Sequence, residues 1–533
     1  MKKYFLFVLF AAVALTVCGK EAKYVFLFIG DGMATPQRMI AEEFSRKAGH
    51  GKLALNTLHF HATTRTCSAN SLVTDSAASA TAIACGAKTN NGMVGVDPEG
   101  NRLQSVAEFA RDRGRKVGII TSVTLNHATP AGFYGHRRSR SEGYALGLDL
   151  IASNFDFFGG GGLSRYKERE PDIYTLAKKA GYTVTVGKKE LDALKPGEKA
   201  IALADKLDKA MPYAIDGQEN MPTLDEITAK AVSLLDNPKG FFIMVEGGAI
   251  DWAGHSNDAA TNLREVLAFD KAVKVALAFY EKHPDETLII TTGDHETGGM
   301  TMGFAGSGYA MFMERLVNQK CSVPKFADLV TQAKKDKPDL TFEGIKPLLT
   351  EKFGFRFIPA GRKFLTEGEV NYVRSVLKKT PQITLDELKK RMTERQGVVF
   401  GDKARISDAE LQFLVDAVKA DGQQVLVDAV KADGKRSAAD LLKQMHEKFG
   451  FEILADEPMR ITEKEEQTLA EAFKENKLAG AARIILSGKA GIGWTSGSHT
   501  ALPTLTTASG VHAELFTGFI DNSDIALKLK TIL

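Results

Sequence analysis

The sequence predicts an α/β protein in which a central, mainly parallel sheet is flanked by helices and carries a largely helical insertion. Three observations predict it. Tyr24 to Ile29 (YVFLFI), Phe241 to Val245 (FFIMV) and Thr287 to Thr292 (TLIITT) have the length and apolar composition of strands buried on both faces. Each runs into polar residues of metal-ligand type: Asp31 within Gly30-Asp31-Gly32, Glu246 followed by Asp251 and His255, and Asp294-His295-Glu296 after one glycine. In open α/β sheets, sites form in the crevice at the carboxyl ends of parallel strands, so three such ends point to one site. Between about Phe304 and Leu486 the apolar strand runs disappear and Lys/Glu-rich amphipathic stretches replace them.

At 533 residues the chain exceeds one ordinary core but matches a large α/β enzyme with insertions. Its composition, 44% hydrophobic and 25% charged with a net charge of +3, is that of a soluble globular protein, and no basic run or basic-aromatic stripe supports a nucleic-acid-binding role. Met1 to Val17, two lysines and then an apolar stretch from Tyr4, reads as a signal peptide ending near residue 18. It is too short for a comfortable membrane span, and no later segment reads as a transmembrane one. Export is therefore expected, periplasmic or secreted. A lipid anchor at Cys18 is the weaker alternative, because Val17 is bulkier than that cleavage usually accepts. The remaining cysteines, Cys67, Cys85 and Cys321, allow at most one disulfide and fit no zinc motif.

Along the chain, His59 and His61 alternate with Phe60 as on a half-exposed strand and read as structural. Leu72 to Gly86 (LVTDSAASATAIACG) opens with a helix-capping Thr74-Asp75-Ser76 and continues in small residues that let a helix pack tightly. An isolated serine there is an ordinary N-terminal helix residue. Ser76 also lies in the positive field of a helix N-terminus, which would stabilise its alkoxide and a bound phosphate. Lys116 to Ser122 (KVGIITS) is a further core strand, and Pro130 puts His127 and Thr129 on a loop after it. His136-Arg137-Arg138-Ser139-Arg140 offers three guanidinium groups, of which one could clamp an oxyanion. Phe157 to Leu163, with four consecutive glycines, reads as a loop without the spacing of a nucleotide cradle. Asp251 and His255, four apart, share one face of a helix, as two ligands of one metal ion do. Taken alone, that stretch equally fits a capped helix with both side chains in solvent. Recurrence at three strand ends favours the metal.

With Asp31, Thr74-Asp75-Ser76-Ala77-Ala78-Ser79, His127-Ala128-Thr129-Pro130-Ala131, Glu246, Asp251, His255 and Asp294-His295 together, the sequence resembles the alkaline phosphatase family over residues 24 to about 303 and 487 to 533. The resemblance implies an alkaline-phosphatase-like sandwich, two zinc ions and one magnesium ion per chain, and hydrolysis of small phosphomonoesters through a phosphoserine on Ser76. It implies Asp251, His255 and His499 as ligands of the first zinc, and Asp31, Ser76, Asp294 and His295 as those of the second. Asp31, Thr129 and Glu246 would hold magnesium, and Arg140 would bind the phosphate. His499 lies in Ser496-Gly497-Ser498-His499-Thr500, the context the family gives its last zinc ligand, and His512 is the reserve. Asp75, His127 and Trp252 would support these ligands. Enterobacterial members have Asp and Lys where this chain has His127 and Trp252, so the likeness is closer to marine-bacterial and animal-type members. A neutral His holds a hard cation's water shell less well than a carboxylate, which puts magnesium in doubt. A homodimer is left open.

The expected organisation is a signal peptide (1–18), a catalytic domain (19–303 and 487–533) and an accessory insertion (304–486). LVDAVKADG occurs at 414–422 and again at 426–434. GIKPLLTEKFGFRF from Gly344, LDELKKRMTERQGVVF from Leu385 and ADLLKQMHEKFGFEI from Ala439 look like three copies of one helix-plus-strand unit, each followed by Thr366, Ser407 or Thr462 opening an acidic helix start. His446 in this segment has no second ligand in metal-type spacing. A phosphodiesterase or sulfatase on the same scaffold, or a non-catalytic phosphate-binding or surface protein, are the rival functions. The sulfatase CxPxR signature is absent.

Overall fold

Side-chain alternation decides how the chain layers itself. In β1 (Tyr24–Gly30) the residues Tyr24, Phe26 and Phe28 enter one core and Val25, Leu27 and Ile29 the other, so the strand is buried on both faces. The computed structural model describes residues 21–217, 219–304, 308–358, 363–400, 405–427, 438–454 and 457–533. The expected signal peptide with Cys18, and most of the second LVDAVKADG copy, lie outside the described residues.

Nine more strands join β1: β2 (Phe60–Arg65), β3 (Lys116–Thr121), β4 (Phe157–Gly160), β5 (Thr183–Val186), β6 (Ala200–Leu203), β7 (Phe241–Gly247), β8 (Thr287–Gly293), β9 (Thr504–Gly510) and β10 (Gly518–Asp521). They form one ten-stranded sheet in the order β10-β2-β9-β8-β1-β7-β3-β4-β6-β5. All neighbours are parallel except at β9, which runs antiparallel to both β2 and β8. This is the mainly parallel α/β sheet that the sequence predicts. The register sets Gly30 beside both Gly247 and Gly293, so the three central strands end at one level. Their following residues share one edge of the sheet.

Two local expectations fail. Phe157–Gly160, read as part of a loop, is a buried strand between β3 and β6. A Cβ at Gly159 would lie 2.5 Å from Cγ2 of Ile227, and one at Gly160, where φ is +140°, 1.9 Å from the Thr121 carbonyl. The glycines here permit close packing of strand against helix and strand. His127 and Thr129 likewise do not lie on an open loop, because Ala128–Ala131 forms one helical turn with His127 at its N-cap. Pro130 is tolerated there, since first-turn N–H groups lack helical partners anyway.

The helix Ala259–Tyr280 covers one face of the sheet with Val266, Phe269 and Val273, while Ser76–Cys85 and Ser523–Ile532 cover the other. The first core continues through Phe326, Leu349, Phe353, Leu469 and Leu486, so the helices Val323–Asp336, Phe342–Phe353, Glu463–Lys474 and Leu478–Ala490 belong to it. Residues between Leu365 and Phe451 build a separate cluster from the helices Glu367–Lys379, Leu385–Gln396, Asp408–Val427 and Ala438–Phe449. In the three similar stretches, the helices Phe342–Phe353, Leu385–Gln396 and Ala438–Phe449 are each followed by a glycine at positive φ: Gly354, Gly397 and Gly450. Thr366, Ser407 and Thr462 each exchange hydrogen bonds with a glutamate three residues on, the reciprocal capping arrangement.

Candidate active site

Ser76 is the first residue of the helix Ser76–Cys85, whose N-cap Asp75 accepts a hydrogen bond from the Ala78 amide at 2.9 Å through Oδ1. The other Asp75 oxygen, Oδ2, accepts from Arg140 Nη1 at 3.0 Å. One carboxylate thus fixes both the serine's helix and the guanidinium. Ser76 Oγ lies 3.2 Å from His295 Nε2. Arg137 and Arg138 are engaged elsewhere, with Asp149 and the Glu99 carbonyl, and of the three only Arg140 pairs with Asp75, the N-cap of the serine's helix.

Asp251 and His255 come from the short helix Ala249–His255 that follows β7, and His499 from a two-residue ladder, His499–Thr500, paired with Glu296–Thr297. His255 Nδ1 donates to the Gly497 carbonyl and His499 Nδ1 to the Thr74 carbonyl, both at 2.8 Å. A carbonyl can only accept, so each neutral ring carries its proton on Nδ1 and a lone pair on Nε2. The two Nε2 atoms face each other at 3.2 Å. Asp251 Oδ2 is 3.4 Å from one and Oδ1 3.5 Å from the other. Three side chains that present only unprotonated ligand atoms to one another repel unless a cation sits between them.

The same tension recurs beside it. Asp31 Oδ1 and Asp294 Oδ2 stand 3.3 and 3.2 Å from His295 Nε2, and Asp31, Asp294 and His295 are fully buried. Thr129 Oγ1 donates to Asp31 Oδ2 at 3.2 Å, and Thr121 donates to Glu246 Oε2. Asp31 Oδ1, Asp294 Oδ2, Glu246 Oε1 and His127 Nδ1 are buried with no hydrogen-bond partner. Orphaned carboxylate oxygens in a protein interior are costly, and three of them in one crevice mark a place for bound cations. Burial, then the neighbouring carboxylates, push Asp31 far above the ordinary carboxyl range; burial also raises Asp294, with Asp251 and Glu246 adding to it. Burial, then His499 and Arg140, push His295 well below the usual imidazole range. A metal ion reverses this logic by favouring the deprotonated forms. The mix of imidazole nitrogens and carboxylates fits zinc, and the all-oxygen set of Asp31, Thr129 and Glu246 fits a harder cation.

Arg140 Nη2 is 3.2 Å from His127 Nε2. A guanidinium only donates, so neutral His127 keeps its proton on Nδ1, which faces Asp31 Oδ2 at 3.9 Å and Glu246 Oε1 at 3.8 Å. His127 offers this crevice a donor, and Trp252 packs edge-on against its ring at 6.0 Å. The hydroxyls of Thr121 and Thr297 are essential to the arrangement and were invisible in sequence, where threonine in or after a strand looks like β-branched filler. Thr297 Oγ1 donates to Asp251 Oδ1 at 2.5 Å. Glu296 turns away from the cluster: Gln37 Nε2 at 2.8 Å, the amides of Gly299 and Met300 at 3.0 Å, and Thr500 Oγ1 all donate to it. It ties the His295 turn to the residue beside His499. His512 follows β9 near the start of β8, at the opposite edge of the sheet, with Glu514 at 3.8 Å. His59 pairs with Ser509, and His446 contacts the Phe451 carbonyl.

The alkaline phosphatase family model matches residues 22–149 and 165–352. The chain belongs to the alkaline phosphatase family. Alkaline phosphatase 4 of Bacillus subtilis is 34% identical over 306 residues, 54% of this chain and 64% of that protein. Alkaline phosphatase 3 of the same organism is 32% identical over 378 residues, 69% of this chain and 78% of its own length. The cold-active alkaline phosphatase of Shewanella sp. superposes with a TM-score of 0.65 at 25% identity, covering 96% of this chain and 99% of that one. The family match continues past 303 through Val323–Asp336 and Phe342–Phe353, the helices that share the main core.

Proposed function

We propose that this alkaline phosphatase family member is a metal-dependent phosphatase that hydrolyses phosphate monoesters through a phosphoserine on Ser76. The observation that carries the proposal is the set of orphaned carboxylate oxygens of Asp31, Glu246 and Asp294 beside the opposed imidazoles of His255 and His499, with the Ser76 hydroxyl 3.2 Å from His295 of the same cluster. Asp251, His255 and His499 would hold one zinc, and Asp31, Asp294, His295 and Ser76 a second. Asp31, Thr129 and Glu246 would hold magnesium. Two variants of the alkaline phosphatase from an Antarctic bacterium, each with a histidine replaced by aspartate or glutamate, carry magnesium in their M3 site, which supports a hard-cation site on this fold. When bound, such ions polarise phosphoryl oxygens, lower the pKa of hydroxyl groups and stabilise a leaving alkoxide.

The chain's own residues do the rest. Arg140, braced by Asp75, clamps equatorial phosphoryl oxygens, where charge spreads in a loose transition state. Ser76 Oγ, at the positive end of its helix, attacks phosphorus; the Oγ–P bond forms as the ester P–O bond breaks and the alcohol leaves. Water then attacks the phosphoserine and releases phosphate. Two in-line displacements give net retention at phosphorus, and turnover should rise into the alkaline range as the hydroxyl groups deprotonate. Met1 to Val17 supports export of the mature chain.

The deciding experiment assays p-nitrophenyl phosphate with added zinc, beside a bis-ester and a sulfate ester. Fast cleavage of the monoester alone is expected. Preference for the bis-ester would make the chain a diesterase, and no cleavage of any ester would make it a binding protein.

The segment 304–486 is proposed as accessory to this chemistry. Its removable part is narrower than the whole, because only Leu365 to Phe451 has a core of its own.

A further inference from the structure

A second concentration of charge lies far from the metal crevice along the chain, where the insertion meets the main core. A cleft of about 610 Å³ opens between the C-terminal end of Leu385–Gln396, the first turn of Glu463–Lys474 and the last turn of Leu478–Ala490. Five cationic side chains line it: Arg315, Arg395, Arg460, Lys464 and Lys489. Three carboxylates face them, but two are already committed. Glu465 pairs with Lys489 at 3.0 Å while accepting from the Thr462 amide, and Glu457 pairs with Arg356 at 3.2 Å. Among the described residues no carboxylate pairs with Arg315, Arg395, Arg460 or Lys464, and only Glu394 remains to offset them.

Two of these guanidinium groups have donors without an acceptor. Arg315 Nε and Arg460 Nη1 are buried and make no hydrogen bond. The Arg315 guanidinium donates through Nη1 to the Lys489 carbonyl at 2.6 Å and lies over the Phe312 ring at 3.8 Å, while the Arg460 guanidinium lies over the Phe364 ring at 5.5 Å and the Arg460 carbonyl accepts from Lys489 Nζ at 2.7 Å. Burial lowers the Lys489 ammonium from its ordinary value, Glu465 pulls it back, and Arg315 and Arg460 lower it further, which reports how closely the three cations are packed. Like charges held together, with spare N–H groups turned inward, are what an oxyanion completes.

We propose that this cleft binds a small, multiply charged oxyanion bearing phosphate or sulfate groups, recognised by Arg315 and Arg460 inside and by Lys464 and Arg395 at the mouth. The site is separate from the catalytic crevice and does not depend on the reaction proposed there. Its position on the helix Leu478–Ala490, which leads directly into Ile492–Trp494 and on to His499, places the ligand at the joint between insertion and catalytic layer.

The test uses the full-length, zinc-loaded protein and myo-inositol hexasulfate, a polyanion that is not a phosphate ester, with binding followed by calorimetry at low and moderate salt. The catalytic crevice is intact in every variant compared, so any anion it takes up is common to all arms. Wild type should bind saturably, and R315Q/R460Q should bind about tenfold or more weakly, each lost charge-assisted hydrogen bond contributing. Lys464→Gln, at an exposed position that does not threaten folding, should weaken binding by about threefold and flatten its salt dependence. R113Q/K239Q, which removes the same charge from the basic hollow around Lys23 and Arg115, should leave binding unchanged. No saturable binding to wild type, or equal weakening in the Arg113/Lys239 control, would overturn the proposal.

Discussion

The carboxyl edge of the central sheet and the module between Leu365 and Phe451 treat buried charge in opposite ways. In the module, a buried charge comes with its partner: Arg405 pairs with Glu369, and Glu369 also satisfies the Thr366 amide. At the sheet edge Asp31, Glu246 and Asp294 are fully buried, and each has an oxygen that no donor reaches. In the module caps are satisfied and charges are paired, Arg405 also meeting Glu463 of the adjoining main-core helix at 2.6 Å. Unsatisfied ones mark where the protein expects a ligand. The contrast separates residues whose charge the fold itself satisfies from residues whose charge it leaves open.

The sharpest way to break this contrast is at the serine. Ser76→Ala should lower turnover on the order of a thousandfold or more while leaving metal content nearly unchanged, because the nucleophile goes and the carboxylates and imidazoles stay. Acid-quench trapping of labelled phosphate checks it. Label on the alanine protein would move the nucleophile elsewhere. Next in size, His499→Ala should cost about one zinc per chain and reduce activity by roughly a hundredfold, since three ligands become two. His512→Ala, at the opposite edge of the sheet, should do neither. Metal analysis of the pair decides, and a zinc loss in the His512 variant would contradict the geometry described here.

A smaller effect sharpens the electrostatic side. Asp31 and Asp294, raised above the ordinary 3.8, contribute stability that is fully present below that value and lost as pH rises through their folded values. His295, lowered from 6.5, acts the other way but only as pH falls below 6.5. Above 6.5 only the carboxyls act, so metal-free protein should melt progressively earlier than zinc-loaded protein as pH goes from about 6.5 to 8. The gap should widen by about 5 °C or more. Thermal scans with and without chelator measure it, and a constant gap would mean the carboxyls are not shifted. The smallest change is expected from deletion. Arg356 and Ile461 are joined by a backbone hydrogen bond at 2.9 Å, so a linker of about six glycine and serine residues can replace 358–458. Hydrolysis of a small ester should stay within about threefold of wild type. A deletion protein that folds and binds zinc but cleaves nothing would place a catalytic group in the module.

Much of the fold was legible because parallel strands buried on both faces announce themselves as unbroken apolar runs. β1, β3, β7 and β8 all do so, and the site residues sit directly after them. Phe157–Gly160 did not, since a strand that must admit a helix on one side looks like a flexible glycine run. Thr121 and Thr297 were hidden for another reason: their function lies in one hydroxyl direction, which residue type does not encode. Glu296 carried a misleading signal, standing next to Asp294 and His295 while its carboxylate serves as a hub for backbone amides. The main core's claim on Val323–Asp336 and Leu478–Ala490 was also hidden, because an amphipathic helix advertises its apolar stripe without naming the surface that covers it.

The place of β9 in the sheet bears on how the protein is made. β2 has only β9 and β10 as neighbours, so residues 60–65 find no strand partner until residues 504–521 exist. β8, complete at Gly293, keeps one edge uncovered until the same strand is made, and His499 arrives only just ahead of β9. A growing chain therefore spends nearly all of its synthesis with an open, sticky strand edge and an incomplete ligand set. Any product that stops short of the last few dozen residues would leave β2 and one edge of β8 without a strand partner and would be aggregation-prone. The strand order thus makes closure of the sheet depend on the last strands to be synthesised.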